Sequence, residues 1–155
     1  LEGGPGRPVR CFFLGTTEPT LRRIRGELER RYPGITVAGT LAPGFEDEFG
    51  REESERMAER IRDSGAEVLW VGMTAPKQEI WVTRNAGQLR GVRLVCSIGA
   101  AFDYFAGTRL RAPRFLRALG MESHFRAVTQ PRGGGRRLVN SYRFLWRQLR
   151  ARVRR

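Results

Sequence analysis

Four short apolar runs separated by amphipathic helical segments predict an α/β fold, a Rossmann-like parallel sheet flanked by helices. Each run closes on a glycine: VRCFFL on Gly15, ITVA on Gly39, VLWV on Gly72 and VRLVCSI on Gly99. The charge is also uneven, and this separates a body at residues 1–108 from a basic helical appendage at residues 109–155.

Residues 9–14 read as a buried strand. Thr17, Glu18 and Pro19 then supply a cap, an acid and a first-turn proline for a helix. Leu21, Ile24 and Leu28 recur at helical spacing until Pro33 and Gly34 stop it. Residues 35–38 form the second strand and 42–50 a loop. A polar helix is expected over 51–64, with Met57, Ala58 and Ile61 turned inward. Residues 68–71 give the third strand. Thr74 is expected to cap a helix over 75–86, and residues 92–98 make the fourth strand, with Asp103 following at its end. Beyond Asp103 the pattern changes to short helices over 113–119 and 122–129, a PRGGG break, and a last helix over 136–153. That helix carries a stripe of Leu138, Tyr142, Leu145, Leu149 and Val153, widened by Val139 and Trp146 and flanked by arginine.

Residues 1–108 hold 15 basic and 15 acidic side chains, whereas residues 109–155 hold 14 arginines and one acid, Glu122. The whole formal charge of +13 therefore sits on the appendage. A neutral body with a basic tail implies an anionic partner: phosphate, lipid headgroup or nucleic acid. With 40% hydrophobic and 10% aromatic residues, the chain can bury a core despite this charge. Cys11 and Cys96 lie in apolar runs without metal-ligand spacing and read as core residues of a reducing compartment. No run approaches a membrane span, and no signal peptide, Walker loop, zinc pattern or Ser/His/Asp set is visible. His124, the single histidine, has no acid or nucleophile nearby in sequence and reads as structural. No metal and no cofactor are expected.

In a parallel sheet, ligands sit beyond the carboxyl ends of the strands. The turns expected there are Gly15-Thr16-Thr17, Gly39-Thr40, Gly72 to Gln78, and Gly99 to Asp103. In VGMTAPKQEIWVTRN a strand runs into a helix whose first turn bears Lys77 and Gln78. Such a helix N-terminus suits a phosphate or the edge of a base, or is simply capped and solvated. In SIGAAFDYFAGTRLRAPRFLR, Gly99 and Ala100 permit close backbone approach, and Asp103 either binds a sugar hydroxyl or base N–H or caps the next segment. Arg109, Arg111 and Arg114 cluster as phosphate ligands or as a solvated basic face.

Together these segments resemble the WecG/TagA/CpsF family of bacterial glycosyltransferases. The resemblance rests on FFLGTTEPTL, RRYPGITVAGT, PKQEIWVTRN at 76–85, IGAAFDYFAG at 98–107, RAPRFLRALGME at 111–122, QPR at 130–132 and the closing basic helix. It implies an inverting transfer of N-acetylmannosamine or a related sugar from a UDP-sugar donor to a polyprenyl-diphosphate-linked acceptor in cell-surface polysaccharide synthesis, such as that of wall teichoic acid. By resemblance, Gln78 and Asp103 contact the donor, Asp103 toward the uridine, and Gly99 and Ala100 line the same cleft. Gly15, Thr16 and Lys77 are expected in that donor site from their strand-end turns, and Arg111, Arg114 and Arg132 meet diphosphates and the membrane.

The family's base is an aspartate of an N-terminal half, assisted by a threonine and an asparagine. This chain opens on the Gly/Pro-rich residues 1–8 without an initiator methionine, and is expected to begin after that half. No residue is assigned as the base, and the isolated chain is expected to be weak or inactive. Gly133, Gly134 and Gly135 depart from the family's longer basic run. The expected location is cytoplasmic, peripheral on the inner face of the plasma membrane, with an anionic membrane surface as partner and homo-oligomers compatible with the resemblance. The alternative is a Rossmann-like nucleotide-binding module whose arginine-rich tail binds nucleic acid; the apolar stripe argues against it, and no nucleic acid is expected.

Overall fold

The computed structural model describes residues 7–121, apart from 45, 47, 109 and 111, and residues 125, 129, 143 and 146. The chain divides into two compact units, Leu1–Arg109 and Leu110–Arg155.

The first unit alternates strand and helix: β1 (Val9–Gly15), α1 (Glu18–Arg31), β2 (Ile35–Leu41), α2 (Arg51–Asp63), β3 (Val68–Gly72), α3 (Lys77–Asn85), β4 (Leu94–Ser97) and α4 (Ala101–Phe105). A single 3₁₀ turn, Ala86–Gln88, extends α3. The four strands are parallel in the order β2-β1-β3-β4, so the chain steps from β1 to one side and then returns to the other. The fold is α/β and Rossmann-like, as the alternating pattern predicts.

The period of two along the central strands sorts side chains onto two faces. Phe12, Leu14, Leu69 and Val71 pack with Met57, Ala58 and Ile61 of α2 and Trp81 of α3. Cys11, Phe13 and Val68 pack on the other face with Leu21, Ile24 and Leu28 of α1 and with Phe102 and Ala106 of α4 and its end. Leu14, Leu21, Ile61 and Leu69 are wholly enclosed, each side chain stabilising the fold by about 1.5–3 kcal/mol relative to exposure.

Several boundaries differ from the sequence expectation. β2 continues through Gly39 and Thr40 to Leu41, so these two residues are strand rather than loop. The pairing of β1 with β2 steps by one residue there, Cys11 facing Val37 and Phe12 facing Gly39. The Phe12 ring occupies the space a side chain at 39 would take, 2.5 Å from a built Cβ. Thr74 does not cap α3: the helix begins at Lys77, with Pro76 before it and no side-chain cap. A proline disfavours helical backbone in the residue preceding it, here Ala75, which moves the start downstream. Val92 and Arg93 precede β4 rather than joining it. Asp103 lies in the first turn of α4 rather than at a strand end, because the chain turns at Gly99 into the helix-favouring Ala100-Ala101.

Thr17 caps α1 as expected, accepting from the Thr20 amide. Both cysteines are free; Cys11 is buried and Cys96 is half-buried. Burial pushes the Cys11 thiol pKa up.

In the second unit, α5 spans Arg114–Ala118, with Arg114, Phe115 and Leu119 exposed. Phe125, Thr129, Arg143 and Trp146 have helical backbone. His124, Arg132, the PRGGG break and the apolar stripe of the last helix apart from Trp146 lie outside the described residues. Among the described residues no helix is long and apolar enough to cross a membrane.

Candidate functional site

In this strand order the switch point lies between β1 and β3, where the loops leaving the two strands diverge to opposite faces. The backbones meet closely there. Gly15 has φ +120°, and a side chain on it would stand 2.6 Å from the Gly72 carbonyl carbon. Only glycine fits both restrictions. On the other side of β3, a Cβ at Gly72 would fall 2.1 Å from the Phe102 ring, so α4 rests directly on the strand end. The Phe102 ring also packs on Phe13, with centroids 5.7 Å apart.

Thr16 bridges these parts. Its φ is +53°, the one positive value at a non-glycine among the described residues. Its N–H donates to the Gly72 carbonyl at 3.1 Å. Its hydroxyl donates to Asp103 Oδ1 at 3.0 Å, although the two residues stand 87 positions apart. Asp103 is fixed from behind as well. Its N–H donates to the Ala100 carbonyl, and its own carbonyl accepts the Thr108 N–H at 2.9 Å and the Thr108 hydroxyl at 3.1 Å.

Gln78 forms the second link. It is 6% exposed, and its Oε1 accepts the Gly99 N–H at 3.1 Å. Its Nε2 donates to Glu79 Oε1 at 2.7 Å. A buried amide costs free energy unless both ends are bonded, and here both are. The bond to Gly99 ties the first turn of α3 to the turn after β4.

Lys77 turns toward the 42–50 loop. Its Nζ donates to the Gly44 carbonyl at 3.4 Å and, more closely, to the Glu46 carbonyl. The ammonium stands 3.8 Å from the centre of the Phe49 ring, within cation–π reach.

Of the sequence-derived site residues, Gly15, Thr16 and Asp103 come together at the switch point, and Gln78 meets Gly99 beside Ala100, which precedes α4. Arg114 belongs to the second unit; Arg111 and Arg132 lie outside the described residues. Gly39 and Thr40 belong to the β1–β2 pairing. Three partners escape sequence reasoning: Glu79, which holds Gln78; Phe49, under Lys77; and Phe102, against Gly72. Adjacency to Gln78 is the only signal that points to any of them. Among the described residues there is no cluster of His, Cys, Asp and Glu able to hold a metal ion.

The arrangement supplies an oriented carboxylate and backbone groups at the end of a parallel sheet, suited to a ligand rich in N–H and O–H donors. Comparison with known proteins gives a match of residues 4–155 to the sequence model of the glycosyl transferase WecG/TagA/CpsF family. Among solved structures, the lactose-specific IIB component domain of the phosphoenolpyruvate:carbohydrate phosphotransferase system from Streptococcus pneumoniae aligns at 9% identity. The alignment covers 65% of this chain and 86% of that one, with a TM-score of 0.38.

Proposed function

Since the chain belongs to the WecG/TagA/CpsF family of glycosyl transferases, we propose that it serves an inverting transfer of N-acetylmannosamine or a related sugar from a UDP donor. The acceptor in this reading is a polyprenyl-diphosphate-linked sugar of cell-surface polysaccharide synthesis. The observation that carries the donor-site assignment is the Thr16–Asp103 hydrogen bond, which sets a carboxylate at the switch point where such folds take nucleotides. Asp103 accepts from the uridine, and Gly15, Gly99 and Ala100 allow the nucleotide close to the backbone. Gln78 contacts the donor from α3. A diphosphate arriving at the start of α3 draws the Lys77 ammonium away from the loop carbonyls it now holds.

An inverting transfer needs a base for the acceptor hydroxyl and stabilisation of the departing UDP. The proposed site supplies the second. No residue of the chain is assigned the first. Residues 1–108 form the donor half. Residues 109–155, with Arg111, Arg114 and Arg132, meet the acceptor diphosphate and an anionic membrane surface from the cytoplasmic side.

Calorimetric titration with UDP, UDP-N-acetylglucosamine and UDP-N-acetylmannosamine tests the donor assignment. Binding is expected for the parent chain and a loss of about tenfold or more for Asp103→Ala, on the order of 1.4 kcal/mol. Absence of any heat at millimolar nucleotide would remove the assignment.

A further inference from the structure

Thr16 combines two features that a spacer residue would not need. A β-branched side chain in left-handed backbone is an outlier, and such conformations persist only where surrounding bonds hold them. Here the holders are the Gly72 carbonyl, which takes the Thr16 N–H, and the Asp103 carboxylate, which takes its hydroxyl. Glycine would accept the same backbone without strain, yet would leave the carboxylate without this donor.

The backbone of Asp103 is already bonded at its N–H and, twice, at its carbonyl. The Thr16 hydroxyl adds a hold on the side chain itself, at Oδ1. An O–H donor at 3.0 Å, itself anchored to the end of β3, restricts rotation of that side chain. We infer that Thr16 is a positioning residue: by hydrogen bonding Oδ1, it presents the Asp103 carboxylate as an oriented acceptor to the N–H or O–H donors of a nucleotide at the switch point. Preorganisation of this kind raises affinity by removing an ordering cost from the binding step. The inference rests on the reading that Asp103 meets the donor nucleotide.

The test uses the full chain and UDP, with Thr16→Val, Thr16→Ser and Asp103→Ala. Valine keeps the size and β-branching of threonine, and so the backbone preference, while removing the hydroxyl; serine keeps the hydroxyl. The expected result is a UDP affinity about tenfold weaker for Thr16→Val, restored to within about threefold by Thr16→Ser, with the valine variant's melting temperature close to that of the parent. Equal affinity of the valine variant and the parent would overturn the inference. So would equal weakening of the valine and serine variants, or a weakening that merely tracks a lower melting temperature. If Thr16→Val weakens UDP while Asp103→Ala does not, Thr16 touches the ligand itself and the positioning role is wrong. If the parent chain binds no UDP, the donor-site reading fails first, and the inference falls with it.

Discussion

Gly15 and Gly72 show how few atoms separate β1, β3 and α4 at the switch point. Gly15→Ala would combine a φ of +120° with a contact of 2.6 Å to backbone, and Gly72→Ala would drive a methyl into the Phe102 ring. Each should cost about 2–4 kcal/mol, read as a lower midpoint in urea denaturation. A loss below about 0.5 kcal/mol would mean that the strand ends can part freely. Cys11 makes a prediction in pH. Its thiol pKa is raised by burial, so the stability tied to the neutral form is complete below about pH 9, the ordinary value, and falls as pH rises through the raised one. Thermal melts between pH 7 and 10.5 should therefore decline less steeply for Cys11→Val than for the parent above pH 9. The glycines themselves are legible in sequence, since each ends an apolar run. Their neighbours are not: Phe102 lies thirty positions from Gly72, and periodicity assigns faces, not partners.

At the scale of elements, periodicity located the four strands and the first three helices of the body but missed α4 and misjudged three ends. β2 runs past Gly39 because the glycine there accommodates the Phe12 ring, which a reading of glycine as a strand terminator misses. α3 starts late because Pro76 restricts the residue before it. β4 is shorter than its apolar run, because Val92 and Arg93 belong to the approach, where the Arg93 N–H bonds the Glu67 carbonyl. The Lys77 tether was invisible for a different reason. A long flexible cation gives no sequence sign of whether it will meet a ligand or a carbonyl. Lys77→Met keeps much of the stem and removes the charge. Amide hydrogen exchange over residues 44–50 should quicken in this variant, with a stability loss of about 1 kcal/mol or less. Unchanged exchange would show that the loop is held by other contacts, such as the ion pair of Glu48 with Arg84 at 3.6 Å.

At the scale of the whole molecule, the parallel sheet was legible from alternation alone, whereas its order was not. Order depends on which crossover passes over which strand, and that is decided by packing on both faces. The division of charge was legible directly: residues 1–108 are balanced and the appendage carries all the excess. On the membrane reading, the chain should float with vesicles rich in anionic lipid and release as salt shortens the range of attraction. Deleting residues 136–155 should abolish most of that flotation. Flotation that survives the deletion, or a preference for duplex DNA over vesicles, would turn the reading toward the body or toward nucleic acid.

The bond from Thr16 to Asp103 closes a span of 87 positions, and this bears on kinetics. Contacts so distant along the chain are expensive in loop entropy and tend to form late, after the strands between them are in register. A chain in which β4 and α4 have not yet docked has the glycine turn after β1 but no acid facing it. A nucleotide that needs both therefore recognises only the completed sheet. Such a ligand should slow unfolding while leaving the rate of refolding nearly untouched, because it stabilises a state reached beyond the barrier. On the donor-site reading, the crevice would then couple the lifetime of the folded chain in a cell to the supply of nucleotide.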